Sequence, residues 1–593
     1  MRPSNHQITG KKPPRPANWA AVVKRIWTYM SGNRRLLGLV VFMVTASSGL
    51  GLLGPYMIGQ TIDRYIVPAE TAGLGWQLVL LGAIYAGFSL STWLQNYWMA
   101  GIAQRAVYRM RTALFEHFQK LPIAFFDKRQ HGELMSRVTN DIDNVSQTLN
   151  SSFIQILSSV LTLAGTVVMM LILSPVLTAL SMTIIPLMFF GMKWITKRTG
   201  KKFKEQQKHL GSLNGYIEET FSGQKIVKAF SQEERVTEEF LEKSARLREA
   251  GFWAQTYSGF IPKLMNVLNN LSFAIIAAAG GYLAIKGMIT IGTIVIFVEY
   301  SRQFTRPLND LANQFNTILS AVAGAERVFE IMDEEEEEQE KAKGLPHGIT
   351  EGTIVFRDVS FGYDHGTPIL KKISFQASKG EMTAFVGATG AGKTTIINLL
   401  SRFYDPTSGA ITADGIDLAE VSRASLRKNM GFVLQDPFLF EGTIRENIRY
   451  GRLDAADHEV EEAAKQANAH SFIIKLPKQY DTILKQDGTG ISQGQRQLLS
   501  ISRAILSDPV VLILDEATSS IDTITEMKIQ DALKKLMKGR TSFVIAHRLN
   551  TIQQADQIIV MDKGEIAEKG SHQQLMENRG AYYRLYQSAE EIG

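Results

Sequence analysis

Gly387-Ala388-Thr389-Gly390-Ala391-Gly392-Lys393-Thr394-Thr395 holds the residue types that chemistry on polyphosphate needs. It fits G-x-x-x-x-G-K-[ST], the phosphate-binding loop. Gly387, Gly390 and Gly392 let the backbone turn tightly and approach the phosphates. The N–H groups of the loop and of the following helix then face the anion. Lys393 reaches the β- and γ-phosphates, and the Thr394 hydroxyl is placed to ligate Mg²⁺. A second constellation is Asp515-Glu516, at the end of Val510-Val511-Leu512-Ile513-Leu514. Asp515 is placed to hold Mg²⁺ through water, and Glu516 to orient or deprotonate an attacking water.

The elements that must position these residues are legible around them. Residues 382–386 form an apolar strand-like run before the loop, and 396–400 continue it as a helix. The unbroken apolar run 510–514 suits a strand buried on both faces of a parallel sheet. Acids at its carboxyl end lie where α/β folds bind ligands. From about 354 the chain is β-rich, with Tyr363 just upstream of the loop. That tyrosine suits stacking on an adenine face, or simple surface packing.

The chain has 593 residues, more than one core holds, and 45% are hydrophobic. Mean hydropathy is near zero, an average of an apolar first half and an α/β second half. Cysteine is absent. Disulfides, thiolate metal sites and cysteine nucleophiles are therefore excluded. Net charge is +6, and the first 35 residues hold Arg2, Lys11, Lys12, Arg15, Lys24, Arg25, Arg34 and Arg35 with no acid. An apolar span follows at once, so this arm reads as a cytoplasmic anchor. No nucleic-acid partner is expected.

Six spans are expected at 36–57, 76–97, 153–173, 176–194, 264–285 and 291–304, since roughly 20 residues cross the hydrocarbon core. The turns at Ser174-Pro175 and Lys286-Gly287 carry little charge. The opposite segments hold Arg105, Arg109, Arg111, Lys120, Lys193, Lys197, Arg198, Lys201, Lys202 and Lys204. The positive-inside rule makes these segments and both termini cytoplasmic. Segments 104–149 and 196–250 read as helices that extend into the cytoplasm and return, reversing at 132–141 and 222–230. Glu299 lies inside a span. It either meets a transported solute or its proton, or is a hydrated pore residue. Residues 334–338 and 340 form an acidic run suited to a solvated linker.

Between the two constellations lies Gly490-Ile491-Ser492-Gln493-Gly494-Gln495-Arg496-Gln497. With Gln435, Asp522 and His547, the ordered set resembles the ABC ATPase domain. From about residue 20 to the end, the chain resembles an ABC exporter half-transporter. The fold class implied is multidomain: an all-α six-helix transmembrane domain, then an α/β ATPase domain. The boundaries expected are 1–35 for the N-terminal segment, 36–325 for the membrane domain, 326–352 for the linker and 353–593 for the ATPase domain.

The resemblance implies ATP and Mg²⁺ as ligands. It matches Tyr363 to adenine stacking, Gly387 to Thr395 to phosphate binding, and Gln435 to the glutamine that senses Mg²⁺ and the attacking water. It matches Asp515 and Glu516 to the metal acid and the catalytic glutamate, and His547 to the γ-phosphate switch. Ser492, Gly494, Gln495 and Asp522 are matched to the ATP of a second subunit. Reversal points 132–141 and 222–230 are matched to coupling helices. Gln493 stands where the family's signature has glycine. That departure resembles heterodimeric exporters, and this chain then resembles the subunit that keeps the catalytic glutamate. The expected function is ATP-driven export of a drug- or lipid-like solute across the plasma membrane, with a second, different half-transporter as partner. A homodimeric lipid flippase, a non-transporting ABC ATPase and an ATP-regulated channel are the alternatives.

Overall fold

The computed structural model describes residues 19–337, 349–363, 367–485, 488, 490–515, 521–546 and 549–590. They fall into two compact units, Met1–Lys120 with Gln130–Glu334, and Leu121–Arg129 with Glu335–Gly593.

The first unit is helical. Helix α1 (Trp19–Met30) buries Val22, Ile26 and Met30, the spacing of a one-faced helix. The basic arm therefore ends in a packed helix, and Arg25 donates to both Asp333 oxygens at 2.8 and 2.7 Å. Next come α2 (Arg34–Thr61), α3 (Leu74–Phe118), α5 (His131–Leu173), α6 (Pro175–Ser222), α7 (Gln224–Ala229), α8 (Glu233–Ile285) and α9 (Ile291–Met332), while α4 (Ile123–Asp127) belongs to the second unit. Among the described residues, five helical stretches are long and apolar enough to cross a membrane: Trp19–Ile66, Leu74–Phe118, His131–Leu173, Pro175–Ser222 and Glu233–Ile285. The sixth expected span, 291–304, lies within the continuous helix α9, which is not among those five. It carries Glu299 with Arg302 at 3.5 Å, one turn apart. Trp76, Val79, Ile172, Phe189 and Phe190 are exposed, an outward apolar surface of the kind hydrocarbon covers.

The helices overrun the apolar windows. α6 runs on to Ser222, α8 starts at Glu233, and α9 passes the expected boundary at 325 to reach Met332. The stretch between the first two expected spans is helical through Ile66. There Asp63 accepts from the Gly292 N–H at 2.7 Å and from the Thr290 hydroxyl at 2.6 Å, which caps α9. The reversal expected at 132–141 is corrected. That stretch is helical within α5, with a π-turn at Arg137–Asp141. The chain turns at 119–130 instead. Pro122, at φ −65° and ψ 151°, opens α4, and the residue before a proline is pushed out of helical geometry. The second reversal falls at Ser222, as expected, and α7 follows it.

The second unit is α/β. Strands β1 (Ile354–Phe361), β2 (Leu370–Ala377), β4 (Ser408–Ala413) and β5 (Ile416–Asp417) form a sheet in the order β2-β1-β4-β5. A six-stranded sheet runs β12-β11-β3-β10-β9-β6. Its strands are β3 (Met382–Val386), β6 (Met430–Val433), β9 (Val511–Asp515), β10 (Thr541–Ile545), β11 (Gln557–Asp562) and β12 (Glu565–Gly570). The pairs of β3, β6, β9, β10 and β11 are parallel. A small pair joins β7 (Gly442–Thr443) to β8 (Ile483–Leu484). In β9, Leu512 and Leu514 enter one core with Ala384, Val386 and Val544. Val511 and Ile513 enter the other with Phe385, Phe543 and Ile545. The period of two thus buries both faces, which explains the unbroken apolar run.

Candidate nucleotide site

The phosphate loop joins β3 to α10 (Lys393–Leu400). Gly387, Gly390 and Gly392 have φ of 150°, 85° and 103°, where a Cβ is strained. A Cβ on Gly387 would lie 2.3 Å from the Met561 carbonyl, and one on Gly392 would lie 2.6 Å from Leu370. Gly392 is also the N-cap of α10, with no side chain to close it. The helix N-terminus therefore stays open to an anion. Ala388, Thr389, Gly390 and Thr394 are exposed, whereas Ala391 and Thr395 are buried. Lys393 Nζ donates to the Gly387 and Ala388 carbonyls at 2.7 and 3.0 Å. Burial lowers its pKa, opposed by the charge of Asp515.

Strand order brings the other residues to the same edge. Asp515 ends β9 half-buried and pairs with Ile545 on β10, which pairs with Phe385 on β3. Gln435 is exposed just past β6, whose Val433 pairs with Leu514. Among the described residues no group of three His, Asp or Glu could cage a metal. Mg²⁺ keeps waters and phosphate oxygens and takes few protein ligands. The oxygens of Thr394, Asp515 and Gln435 are the hard donors it requires, so the set fits. Glu516 and His547 lie outside the described residues.

Tyr363 is half-exposed beside the loop helix. Its hydroxyl accepts from Asn398 Nδ2 at 3.0 Å and pairs with Thr395 Oγ1 at 3.3 Å. The rings of Phe361 and Tyr404 meet it edge-on at 5.0 and 4.9 Å. Asn398 and Tyr404 escaped the sequence reading. Asn398 had a signal, one helical turn past Thr394 and Thr395. Tyr404 had none.

The signature residues sit apart, at the start of α11 (Gln493–Ser507). Ser492 caps it: Ser492 Oγ accepts from Gln495 N at 3.2 Å, and Gln495 Oε1 from Ser492 N at 3.0 Å. Gly494 is buried, and a Cβ there would lie 2.4 Å from Thr525 and 3.1 Å from Ile521. Gln493 is half-exposed in the first turn, so its side chain needs no room in this packing. Asp522 caps α12 (Thr523–Met537) by accepting from Thr525 N at 2.9 Å. Thr525's backbone and hydroxyl hold its carboxyl below the usual carboxylate range.

The ABC transporter transmembrane region family matches residues 37–308, and the ABC transporter family matches residues 370–519. The chain is 62% identical to the ABC transporter ATP-binding protein YfiC of Bacillus subtilis, over 99% of this chain and 97% of that one. It is 44% identical to the fatty acid ABC transporter ATP-binding/permease protein of Mycobacterium bovis, over 86% and 80%. A solved structure of a bacterial Atm1-family ABC exporter with ATP bound superposes with a TM-score of 0.74 at 28% identity, covering 94% of this chain and 98% of that one. The chain belongs to the ABC transporters. It is an exporter half-transporter, a multi-pass membrane protein whose nucleotide-binding ATPase domain couples hydrolysis to transport, and such exporters work as dimers within the bilayer.

Proposed function

We propose that this chain exports an amphipathic, drug- or lipid-like solute across the plasma membrane, as one half of a dimer with its ATPase domain in the cytoplasm. The observation that carries the reading is the common edge shared by the open phosphate loop, Asp515 and Gln435, in a chain whose other half has membrane-crossing helices. The printed function of the 44% identical relative, fatty acid transport, supports an amphipathic solute. The basic flanks of the spans support a cytoplasmic ATPase domain.

In this reading Lys393 and the loop N–H groups bind the β- and γ-phosphates, and Tyr363 stacks on the adenine. Thr394, Asp515 and Gln435 hold Mg²⁺, which supplies charge neutralisation at the phosphates when bound. Glu516 takes the proton of the attacking water, and His547 contacts the γ-phosphate. Ser492, Gly494, Gln495 and Asp522 serve the ATP of the partner subunit. Gln493 favours a non-identical partner that contributes a glycine-rich signature to the Glu516 site.

One preparation tests this. The chain is purified through a tag with whatever subunit accompanies it, weighed natively, and assayed before and after Glu516→Gln. The expected result is a mass of two different half-transporters. Hydrolysis is expected to fall roughly 100- to 10,000-fold, the range of general-base catalysis, with ATP binding kept. A mass of two identical chains overturns the non-identical partner. Undiminished hydrolysis removes Glu516 from its role.

A further inference from the structure

The segment Ser401 to Asp405, directly after α10, meets three things at once. The first is Tyr363, whose ring stands at 88° to that of Tyr404 with centroids 4.9 Å apart. The second is α4, because the Tyr404 hydroxyl donates to Asp127 Oδ2 at 2.7 Å. The third is the connection from the membrane domain. Glu337 is held by Arg423 at 3.3 Å and Arg427 at 3.1 Å, although the acidic run reads in sequence as solvated. Arg427 also donates to the Ser401 and Arg402 carbonyls at 3.2 and 2.8 Å, and Arg423 to Asp405 at 2.6 Å. Arg402 is buried and donates to Asp405 at 3.0 Å. Both covalent routes out of this unit, through α4 and through Glu337, are thus tied to one five-residue segment.

We propose that Tyr404 is a positioning residue, which holds α4 through Asp127 in a place set by the Tyr363 ring. The inference rests on the nucleotide reading, because Tyr363 is the ring an adenine would stack on. The Tyr363 ring is already held at its hydroxyl by Asn398 and Thr395, and a base stacked on its face adds a further restraint. The ring's edge contact fixes Tyr404, and the Tyr404 hydroxyl fixes the carboxylate of α4. Burial and the Asp127 carboxylate both raise the Tyr404 pKa, so the hydroxyl keeps its donor proton at physiological pH. Tyr404 acts through Tyr363 and Asp127 and is not catalytic. Its contribution is to make α4 follow the state of the site.

The chain has no cysteine. Thr71→Cys and Met288→Cys therefore carry two spin labels without further substitution. They sit past α2 and before α9, whose ends Asp63 joins. The full-length dimer in lipid nanodiscs is measured with ATP and vanadate, alongside the ATP dependence of hydrolysis. With Tyr404→Phe, KM for ATP stays within about twofold of the parent. The fraction of molecules whose label distance shifts falls at least about threefold. Asp127→Ala, at an exposed residue, gives the same loss. Asp127→Asn keeps an acceptor oxygen and stays near the parent. The double variant is no worse than either single, as for one shared interaction. A parental label shift in Tyr404→Phe overturns the inference, and so does a joint loss of ATP affinity and shift. Should Tyr404→Phe fail to fold, Asp127→Ala decides alone by the same two readouts. A parent that binds no ATP overturns the nucleotide reading and this inference together. A parent that binds and shifts, with variants that shift equally, overturns only the inference.

Discussion

The phosphate loop and the signature segment are both glycine-bearing turns into a helix, yet their helix starts are finished in opposite ways. At the loop, the cap is Gly392 and the glycines hold left-handed or near-extended φ. The first N–H groups of α10 have no side-chain cap. At the signature, Ser492 and Gln495 close the start of α11 reciprocally, and Gly494 serves packing against Thr525 and Ile521. One helix end is left for a polyphosphate, and the other is completed by its own residues. Ser492 accepts in its cap and still has a proton to give, so it can donate to a phosphate without uncapping α11. Of these two helix starts, one is open at its N–H groups and the other is closed by its own side chains.

That contrast can be broken most directly at Lys393. Lys393→Ala removes a charge-assisted hydrogen bond worth about 1.5–3 kcal/mol, so the ATP dissociation constant should rise roughly 10- to 100-fold. Equilibrium binding of a fluorescent ATP analogue measures it, and unchanged affinity would detach Lys393 from the phosphates. Gly494→Ala should lower stability by about 1–3 kcal/mol, the range for overpacking, because its Cβ meets Thr525. The denaturation midpoint of the purified protein reads this, and a neutral result would show that α11 shifts freely. Ser492→Ala should cost about 1 kcal/mol through the lost cap, with the ATP dissociation constant unchanged at this chain's own loop. A matching rise in that constant would mean the two segments share one site within the chain.

The cradle was legible because its signals are local. Strand, glycine turn and helix follow in sequence, and β9 announced its burial on both faces by an unbroken apolar run. The cytoplasmic extensions were legible too: segment 196–250 keeps a helical pattern beyond the hydrocarbon edge, and α6 and α8 continue there as helix on charged residues. The first reversal falls ahead of the expected 132–141, because Pro122 breaks the helix there. The Tyr404–Asp127 bond joins residues 277 positions apart, which no local pattern reports. Glu337 read as solvated because its two arginines arrive from a distant part of the chain.

The π-turn at Arg137–Asp141 has a mechanical consequence. The Asp141 carboxylate is buried, with side-chain exposure of 4%, and is gripped by Arg137 at 3.0 Å and by Arg327 of α9. Sliding α5 along α9 would carry Arg137 with Asp141 but draw the carboxylate away from Arg327. The buried carboxylate would then keep one of its two cationic partners and lose the other, which disfavours the slide. The two helices are therefore tied in register at this point.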